Sequence, residues 1–273
     1  MKLLAYGFLL SAVSLACFAA PVRGGSAHDS DEQGCSANHG WWNHSANFAQ
    51  SRQERIPTAS VNYIDPGQNG SIRVHAWNNP DVLVKACIQT EAPTDSEARG
   101  LASQVRITKG AGHIEASGPG ESGNGRNWSV SYEVWLPASS AAKLDASNGS
   151  IAVDGVQGRI RFHTLNGSVR LNDVGGDVEG ETTNGSVTVR VTDANRPARG
   201  LRVETTNGSV NLELPENFSA RVEASTVNGS IRTDFPITVS GEIGKQLSFT
   251  LGNGGPEIAA KTVNGSIHIS KGA

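Results

Sequence analysis

Residues 160–171, with the sequence Ile-Arg-Phe-His-Thr-Leu-Asn-Gly-Ser-Val-Arg-Leu, hold one complete unit of the pattern that decides the fold. Apolar and polar residues alternate on both sides of a central Asn-Gly-Ser, which is typical of two strands joined by a turn. Copies of this tripeptide begin at Asn69, Asn148, Asn166, Asn184, Asn207, Asn228 and Asn264. The last six copies are spaced by 18, 18, 23, 21 and 36 residues, so the chain contains an internal repeat.

Two all-β architectures are compatible with this repeat. Asn-Gly tolerates a left-handed backbone and is a strong hairpin signal, so a row of separate hairpins is one interpretation. The other is a parallel β-solenoid with coils of about 18–23 residues, in which equal positions stack in register. We favour the solenoid because one residue type recurs two positions before the repeat Asn, at Thr164, Thr182, Thr205, Thr226 and Thr262. The step of 36 residues is then expected to contain two coils.

The solenoid interpretation assigns a role to each position of the repeat. The positions six and four before the Asn, such as Ile160 and Phe162, are predicted to face the interior. The Asn side chains are expected to form a hydrogen-bonded ladder from coil to coil, on a left-handed backbone. The predicted repeat turns are Asn148-Gly149, Asn166-Gly167, Asn184-Gly185, Asn207-Gly208, Asn228-Gly229 and Asn264-Gly265.

The rest of the chain divides by composition and periodicity. A basic residue followed by a short apolar run predicts a secretory signal peptide. A polar segment containing His and Trp follows, and then a β-rich region with one short helix, which a capping box of Thr94 and Glu97 opens. The predicted bounds are 1–19 for the signal peptide, 20–55 for the flexible segment, 56–140 for the β-rich N-terminal region and 141–273 for the repeat solenoid.

Charge and cysteine content limit the compartment and the partners. The net charge is −3 and the basic residues are dispersed, so we do not expect a nucleic-acid partner. No second apolar run follows the leader, and no transmembrane span is predicted. Export leaves Cys35 and Cys87 as a pair, which predicts a disulfide bond. Cys17 lies in the leader within a partial lipobox, so its lipidation stays open.

A longer series of motifs matches a known family. The entry segment runs from Asn69 through Trp77 to Pro80, a helix follows near Glu97, and a strand ends in Val-Trp-Leu-Pro at Pro137. With the ordered Thr-x-Asn-Gly-Ser units, the chain resembles the bacterial "putative adhesin" family of unknown function over residues 60–271. The resemblance implies an exported β-solenoid of the cell envelope or surface. The family has no established catalytic residues, so the resemblance transfers none.

Outward positions of the coils carry the candidate binding and catalytic residues. Five positions before the Asn lies a charge ladder, in which Glu179 is expected to pair with both Arg161 and Arg202. Its members in chain order are Lys143, Arg161, Glu179, Arg202 and Glu223. Three positions before the Asn lie Asp145, His163, Glu181 and Glu204, which we call the carboxylate column. A solvated face explains this column, and a row of acid and base catalysts is the alternative.

These observations predict a protein that is not an enzyme and needs no cofactor. We expect a non-catalytic, adhesin-like module in the periplasm or on the surface of a bacterium, binding a protein or a glycan through its solenoid faces. Self-association through these faces stays open. The alternative is a carbohydrate-active lyase or hydrolase that uses the carboxylate column. No metal site is predicted, although His39 and His44 are weak candidate ligands.

Overall fold

The computed structural model describes residues 35–36, 46–57, 61–110, 112–120, 125–192, 199–237 and 244–272. From Cys35 onward the described residues belong to one compact unit. The predicted signal peptide with Cys17 lies outside the described residues, as do His39 and His44. In the described ranges, no helix has the length and apolar character needed to cross a membrane.

The described chain folds into two sheets of ten strands each and one helix, α1 (Asp95–Gln104). Sheet A contains, in spatial order, β1 (Ala46–Pro57), β4 (Asp81–Ala92), β7 (Asn127–Pro137), β3 (Ile72–Trp77), β9 (Ile151–Asp154), β11 (Val169–Asn172), β13 (Val187–Arg190), β15 (Val210–Leu214), β20 (Ile267–Lys271) and β17 (Ile231–Thr233). Sheet B contains β18 (Gln246–Leu251), β16 (Ala220–Asn228), β19 (Glu257–Asn264), β14 (Gly200–Asn207), β12 (Asp177–Asn184), β10 (Ile160–Asn166), β8 (Ala142–Asn148), β2 (Val61–Asp65), β6 (Gly112–Ser117) and β5 (Arg106–Gly110).

Each repeat contributes one strand to each sheet. The strands on either side of the Asn148 turn, β8 and β9, lie in different sheets, and β8 pairs in parallel with β2 and β10. The prediction of a parallel β-solenoid is therefore confirmed, and the hairpin interpretation is wrong, because the two strands of a hairpin would pair with each other. The first Asn-Gly-Ser belongs to the same stack, since Asn69 forms a parallel bridge with Asn148.

The core lies between the two sheets and is built from the predicted inward positions. Ile160 and Phe162 are buried on sheet B, and Val169 and Leu171 are buried on sheet A. In register, Ile160 lies between Ala142 of one neighbouring coil and its equivalent in β12 on the other side. A single coil cannot bury this apolar face alone, so the stability of each coil depends on its neighbours.

The N-terminal region extends the same two sheets and caps one end of the stack. Strands β4 and β1 add to sheet A in antiparallel orientation, and β5 does the same in sheet B. Helix α1 packs on β1 and β4, and it begins as predicted, because the Thr94 hydroxyl accepts a hydrogen bond from the Glu97 amide. The predicted disulfide joins Cys35 to Cys87, with 5.2 Å between their Cα atoms.

The sequence-based description needs a correction in the N-terminal segment. Residues 46–55, which we assigned to a flexible segment, form most of strand β1. The assignment failed because β1 shows only a weak hydrophobic alternation. Its order comes from pairing with β4 along its whole length, from Ala46 opposite Ala92 to Pro57 opposite Asp81.

The C-terminal part departs from the expected order of coils. The step of 36 residues does not contain two coils, because β18 folds back antiparallel on β16 and the next coil follows it. That coil, β19 and β20, lies between the coil β14–β15 and the coil β16–β17. Glu223 of β16 is therefore next to Ala259, not next to Arg202. Its place beside Arg202 in the predicted charge ladder is wrong.

Candidate functional site

The repeat turns form a continuous ladder of amide side chains along one side of the solenoid. Asn166 Nδ2 donates to Asn148 Oδ1 at 2.8 Å, and the same bond at the same distance joins Asn184 to Asn166. The ladder extends in both directions, through Asn69 at one end and through Asn207, Asn264 and Asn228 at the other. The predicted Asn ladder is present, and it holds neighbouring coils in register.

The backbone at these turns is not left-handed, which corrects the expectation drawn from Asn-Gly. Of the described residues other than glycine, Asp173 alone has a positive φ, and the glycines of the last six repeats are not among those with positive φ. Glycine is required for a different reason. A Cβ atom on Gly185 would lie 2.1 Å from the carbonyl oxygen of Gly167 in the neighbouring coil. The turns therefore stack more closely than any side chain permits.

The Thr side chains two positions before each repeat Asn donate hydrogen bonds to the same glycine carbonyl groups from the interior. Thr182 Oγ1 donates to the Gly167 carbonyl at 2.8 Å, and Thr205 Oγ1 donates to the Gly185 carbonyl at 2.7 Å. Both hydroxyls are buried, so these bonds satisfy polar groups that would otherwise be costly to bury. The turns and the strands next to them form a continuous hydrogen-bonded edge beside the outer face of sheet B.

The outer face of sheet B carries the charge ladder on consecutive strands. Arg161 lies opposite Glu179, and Glu179 lies opposite Arg202, as the repeat predicts. Arg161 Nε is 3.3 Å from Glu179 Oε2. Arg202 does not complete the expected double pair, because its guanidinium contacts Glu257 of the inserted strand β19 at 3.3 Å. The insertion of β19 thus redirects one end of the ladder.

The carboxylate column runs beside the charge ladder, two residues further along each strand. Asp145, His163, Glu181 and Glu204 occupy successive strands in register, about 7 Å from the ladder. Lys143 lies 3.0 Å from Asp145, and Lys261 lies 3.4 Å from Glu204. Glu181 is exposed and forms no ion pair with the described residues. It is the carboxylate in this column that is free to meet a ligand.

A groove of about 480 Å³ lies between the charge ladder and the carboxylate column. Phe162 and Gly180 form its floor, and Arg161, Glu179 and Glu181 are among the charged side chains that line it. Gly180 has no side chain, and a Cβ atom there would lie 2.6 Å or less from Phe162 atoms. The distances between the charged groups in the groove are fixed by the hydrogen-bonded strands that carry them.

The row of outward side chains that holds the charge ladder continues into the N-terminal region with Tyr63, which counting back from Asn69 missed. Tyr63 lies opposite Lys143 on one side and His113 on the other. The Lys143 ammonium lies 4.7 Å from the centre of the Tyr63 ring. Burial, together with Asp65 and Asp145, raises the pKa of Tyr63, so its neutral hydroxyl donates to Asp65. A second groove of about 460 Å³ adjoins the first at Lys143 and Arg161, and the described residues that line it include no carboxylate.

Counting back from Asn69 could not place Tyr63. The fifth position before Asn69 is Ile64, which is buried and aligns with Leu144. Asn69 aligns with Asn148, so this coil has one more residue between the strand and the turn than the next coil. The extra residue moves the outward positions by one, and the repeat phase alone does not reveal it.

The outer face of sheet A carries a cluster of side chains around two stacked rings, those of His75 and Trp135. His75 stacks on Trp135 with 5.3 Å between ring centres, and its two ring nitrogens lie 3.3 Å from Glu133 and 3.5 Å from Asp154. The Lys85 ammonium lies 4.8 Å from the centre of the Trp135 ring. The cluster ties β7, β3 and β9 together. In the described ranges, no group of three or more His, Cys, Asp or Glu side chains is arranged to hold a metal ion.

This architecture defines the protein as a capped parallel β-solenoid built from tandem Asn-Gly-Ser coils. Residues 92–270 match the model of the Toastrack DUF4097 family, and the chain belongs to that family. The family resemblance inferred from the sequence is thereby confirmed. None of the curated proteins with which the chain was compared matches it.

Several solved structures are similar to this chain at low sequence identity. A "putative cell adhesion protein" from Clostridium sporogenes ATCC 15579 is 15% identical with a TM-score of 0.44, over 82% of this chain and 100% of that chain. A "putative adhesin" from Bacteroides fragilis NCTC 9343 is 11% identical with a TM-score of 0.39, over 81% and 97%. A "putative lipid binding protein" from Parabacteroides distasonis ATCC 8503 is 12% identical with a TM-score of 0.35, over 82% and 97%.

Proposed function

We propose that the protein is a non-catalytic module of the bacterial cell envelope or surface that binds a partner protein in the groove of sheet B. The observation that carries the proposal is the groove itself, in which Glu181, without an ion pair among the described residues, lies among charges of both signs. The disulfide between Cys35 and Cys87 supports an oxidising compartment outside the cytoplasm.

The groove suits a partner surface that presents a cationic side chain. Glu181 offers a site for that side chain, whereas Lys143 and Arg161 of the adjoining groove are already paired with Asp145 and Glu179. The ladders hold these groups in place before binding, so little conformational entropy is lost when a partner docks. A protein is favoured over a neutral glycan because the ring of Tyr63, which lines the adjoining groove, has the Lys143 ammonium over it and is not open to a sugar.

The pairing of the carboxylates supports a binding role over catalysis. A glycosidase needs one carboxyl group in a buried, apolar setting that keeps it protonated, beside a second carboxyl group that is ionised. Here the carboxylates of Asp145 and Glu204 are each neutralised by a lysine, while Glu181 is exposed. This leaves the carboxylate column as a charged binding surface in the proposal.

The test is capture of partners from the envelope fraction of the native host with three forms of the protein. The wild type is compared with Glu181→Arg in the groove and with Arg170→Glu on the outer face of sheet A. Both substituted residues are exposed, lie on strands and form no ion pair with the described residues. A partner held by the groove is captured by the wild type and by Arg170→Glu, is lost with Glu181→Arg, and is released by salt.

Three results would contradict the proposal. Equal capture by all three forms would place the binding surface elsewhere. Cleavage of a polysaccharide by the purified protein, with loss of that activity in Glu181→Gln, would establish the carbohydrate-active alternative. If the protein instead retains a glycan that salt does not release and that is not cleaved, the ligand is a sugar and not a protein.

A further inference from the structure

The order of the last coils creates a slot that one segment of the chain fills. The coils β14–β15 and β16–β17 follow each other in sequence, joined by residues 215–219, yet they are not neighbours in either sheet. The coil β19–β20, which we call the inserted coil, pairs in parallel with both of them. The backbone of the inserted coil is therefore hydrogen-bonded on both sides.

The walls of the slot recognise one particular sequence pattern. Asn264 of the inserted coil donates to Asn207 of one wall and accepts from Asn228 of the other, both at 2.8 Å. Thr262 donates to the Gly208 carbonyl of the first wall at 2.8 Å. These contacts require Thr-x-Asn-Gly-Ser in register, so a repeat coil of this chain fits the slot.

Charged pairs distinguish the inserted coil from the other repeats. Lys261 contacts Glu204 at 3.4 Å, at a position where the other coils carry Asp, His, Glu or Ser. Lys271 contacts Glu216, in the segment that joins the two walls, at 2.7 Å. The slot is thus matched to residues 257–271 more closely than to any other coil.

A glycine-rich hinge connects the inserted coil to the rest of the molecule. Strand β18 ends at Leu251, and β19 begins at Glu257. Gly252, Gly254 and Gly255 lie between them with φ values of 53°, 75° and 136°. These conformations are open to glycine and strained for other residues, so the closed hinge depends on glycine.

We propose that the slot is an exchange site for a second copy of this chain, in which the inserted coil of one molecule enters the slot of another. Exchange preserves every contact described above and changes the hinge alone, so it is a low-cost route to a dimer. The glycine hinge supplies the freedom to extend, and the two-sided recognition supplies the specificity. The proposal is independent of the groove on sheet B and concerns self-association of the same chain.

The test uses natural ion pairs as reporters of which chain fills each slot. Equal amounts of unlabelled and ¹⁵N-labelled full-length protein are mixed, incubated at high concentration below the melting temperature, and treated with a carbodiimide that joins lysine to carboxylate. Mass spectrometry then measures cross-linked peptides that contain one labelled and one unlabelled partner. Lys261–Glu204 and Lys271–Glu216 report on the slot. Lys109–Glu54, an ion pair in the N-terminal region, is the matched control.

The proposal requires mixed labels in both slot pairs, approaching about half of each cross-link at equilibrium, and none in the control pair. Absence of mixing in the slot pairs would overturn it. Mixing in all three pairs would also overturn it, because exchange would not be confined to the inserted coil.

A hinge variant provides a second, independent measurement. Gly254→Ala with Gly255→Ala strains the closed hinge, where both φ values are positive, and the strain is relieved when the hinge extends. The mixed fraction at early times should rise by about tenfold or more. Gly200→Ala, where a Cβ atom meets nothing within 4 Å, is the control and should leave the fraction unchanged. An equal mixed fraction in the hinge variant and the control would contradict opening at the hinge.

Discussion

Replacement of Gly185 by alanine tests the close stacking of the repeat turns. The new Cβ atom would lie 2.1 Å from the Gly167 carbonyl oxygen, whereas real Cβ atoms essentially never come within 3.0 Å of another heavy atom. The two turns must therefore separate by nearly 1 Å at this point. That movement also pulls the Gly167 carbonyl away from the Thr182 hydroxyl, which donates to it at 2.8 Å.

The expected cost follows from these two effects. Overpacking of a close contact costs about 1–3 kcal/mol, and loss of a buried hydrogen bond costs about 1 kcal/mol more. The reduced freedom of the unfolded chain returns about 0.4–1 kcal/mol when glycine becomes alanine. The net loss should be about 1–3.5 kcal/mol, which lowers the melting temperature by roughly 2–14 °C for a chain of this size.

The measurement is thermal and urea unfolding followed by circular dichroism, with the disulfide intact. Gly200→Ala is the matched control, because it also lies in the repeat region and its Cβ atom would meet nothing within 4 Å. That variant should be unchanged or up to about 1 kcal/mol more stable. If Gly185→Ala is as stable as Gly200→Ala, the turns do not stack at the described distance and the steric argument is refuted.

Three further predictions concern single interactions. Glu179→Arg removes the exposed pair with Arg161 and should lower stability by about 0.2–1 kcal/mol, less at high salt. Adding Arg161→Glu should restore part of the loss in the same unfolding assay, and no restoration would contradict the pairing. Tyr132→Phe should raise stability by about 1 kcal/mol, because its buried hydroxyl has no hydrogen-bond partner in the described residues; a drop in urea midpoint would speak against this. Joint replacement of Cys35 and Cys87 by serine should cost about 4 kcal/mol in the loop-entropy model, and two free thiols in the unreduced wild type would rule the bond out.

The role of each position in the repeat was predictable because it depends on residues that are close together in the sequence. Alternation places Ile160 and Phe162 inside, the recurrent Thr marks the strand before each turn, and the capping box marks the start of α1. The disulfide followed from the cysteine count together with the predicted export. The hairpin preference of Asn-Gly was misleading, since the requirement for glycine comes from the neighbouring coil and not from the backbone angle.

The candidate site was predicted in part for the same reason. The coils from β8 to β14 are consecutive in both sequence and space, so Arg161, Glu179 and Arg202 align as the repeat count implies. The groove, and the place of Tyr63 beside Lys143 in the same row of outward side chains, could be identified only from the structure. An extra residue before Asn69 shifts the outward positions of that coil, and pairing with β8 reveals the shift.

The sequence by itself determined what each coil looks like, since alternation, the Thr position and Asn-Gly-Ser act within about 20 residues. It did not determine which coils are neighbours. Every coil presents the same Asn, Thr and backbone groups to the next, so the ladder accepts β16 or β19 beside β14 equally well. Only the tertiary structure decided between them. The antiparallel return of β18 on β16 leads the chain back, and Lys261 then meets Glu204. Direct stacking of β16 on β14 would place Ser225 at that position and would not supply this ion pair.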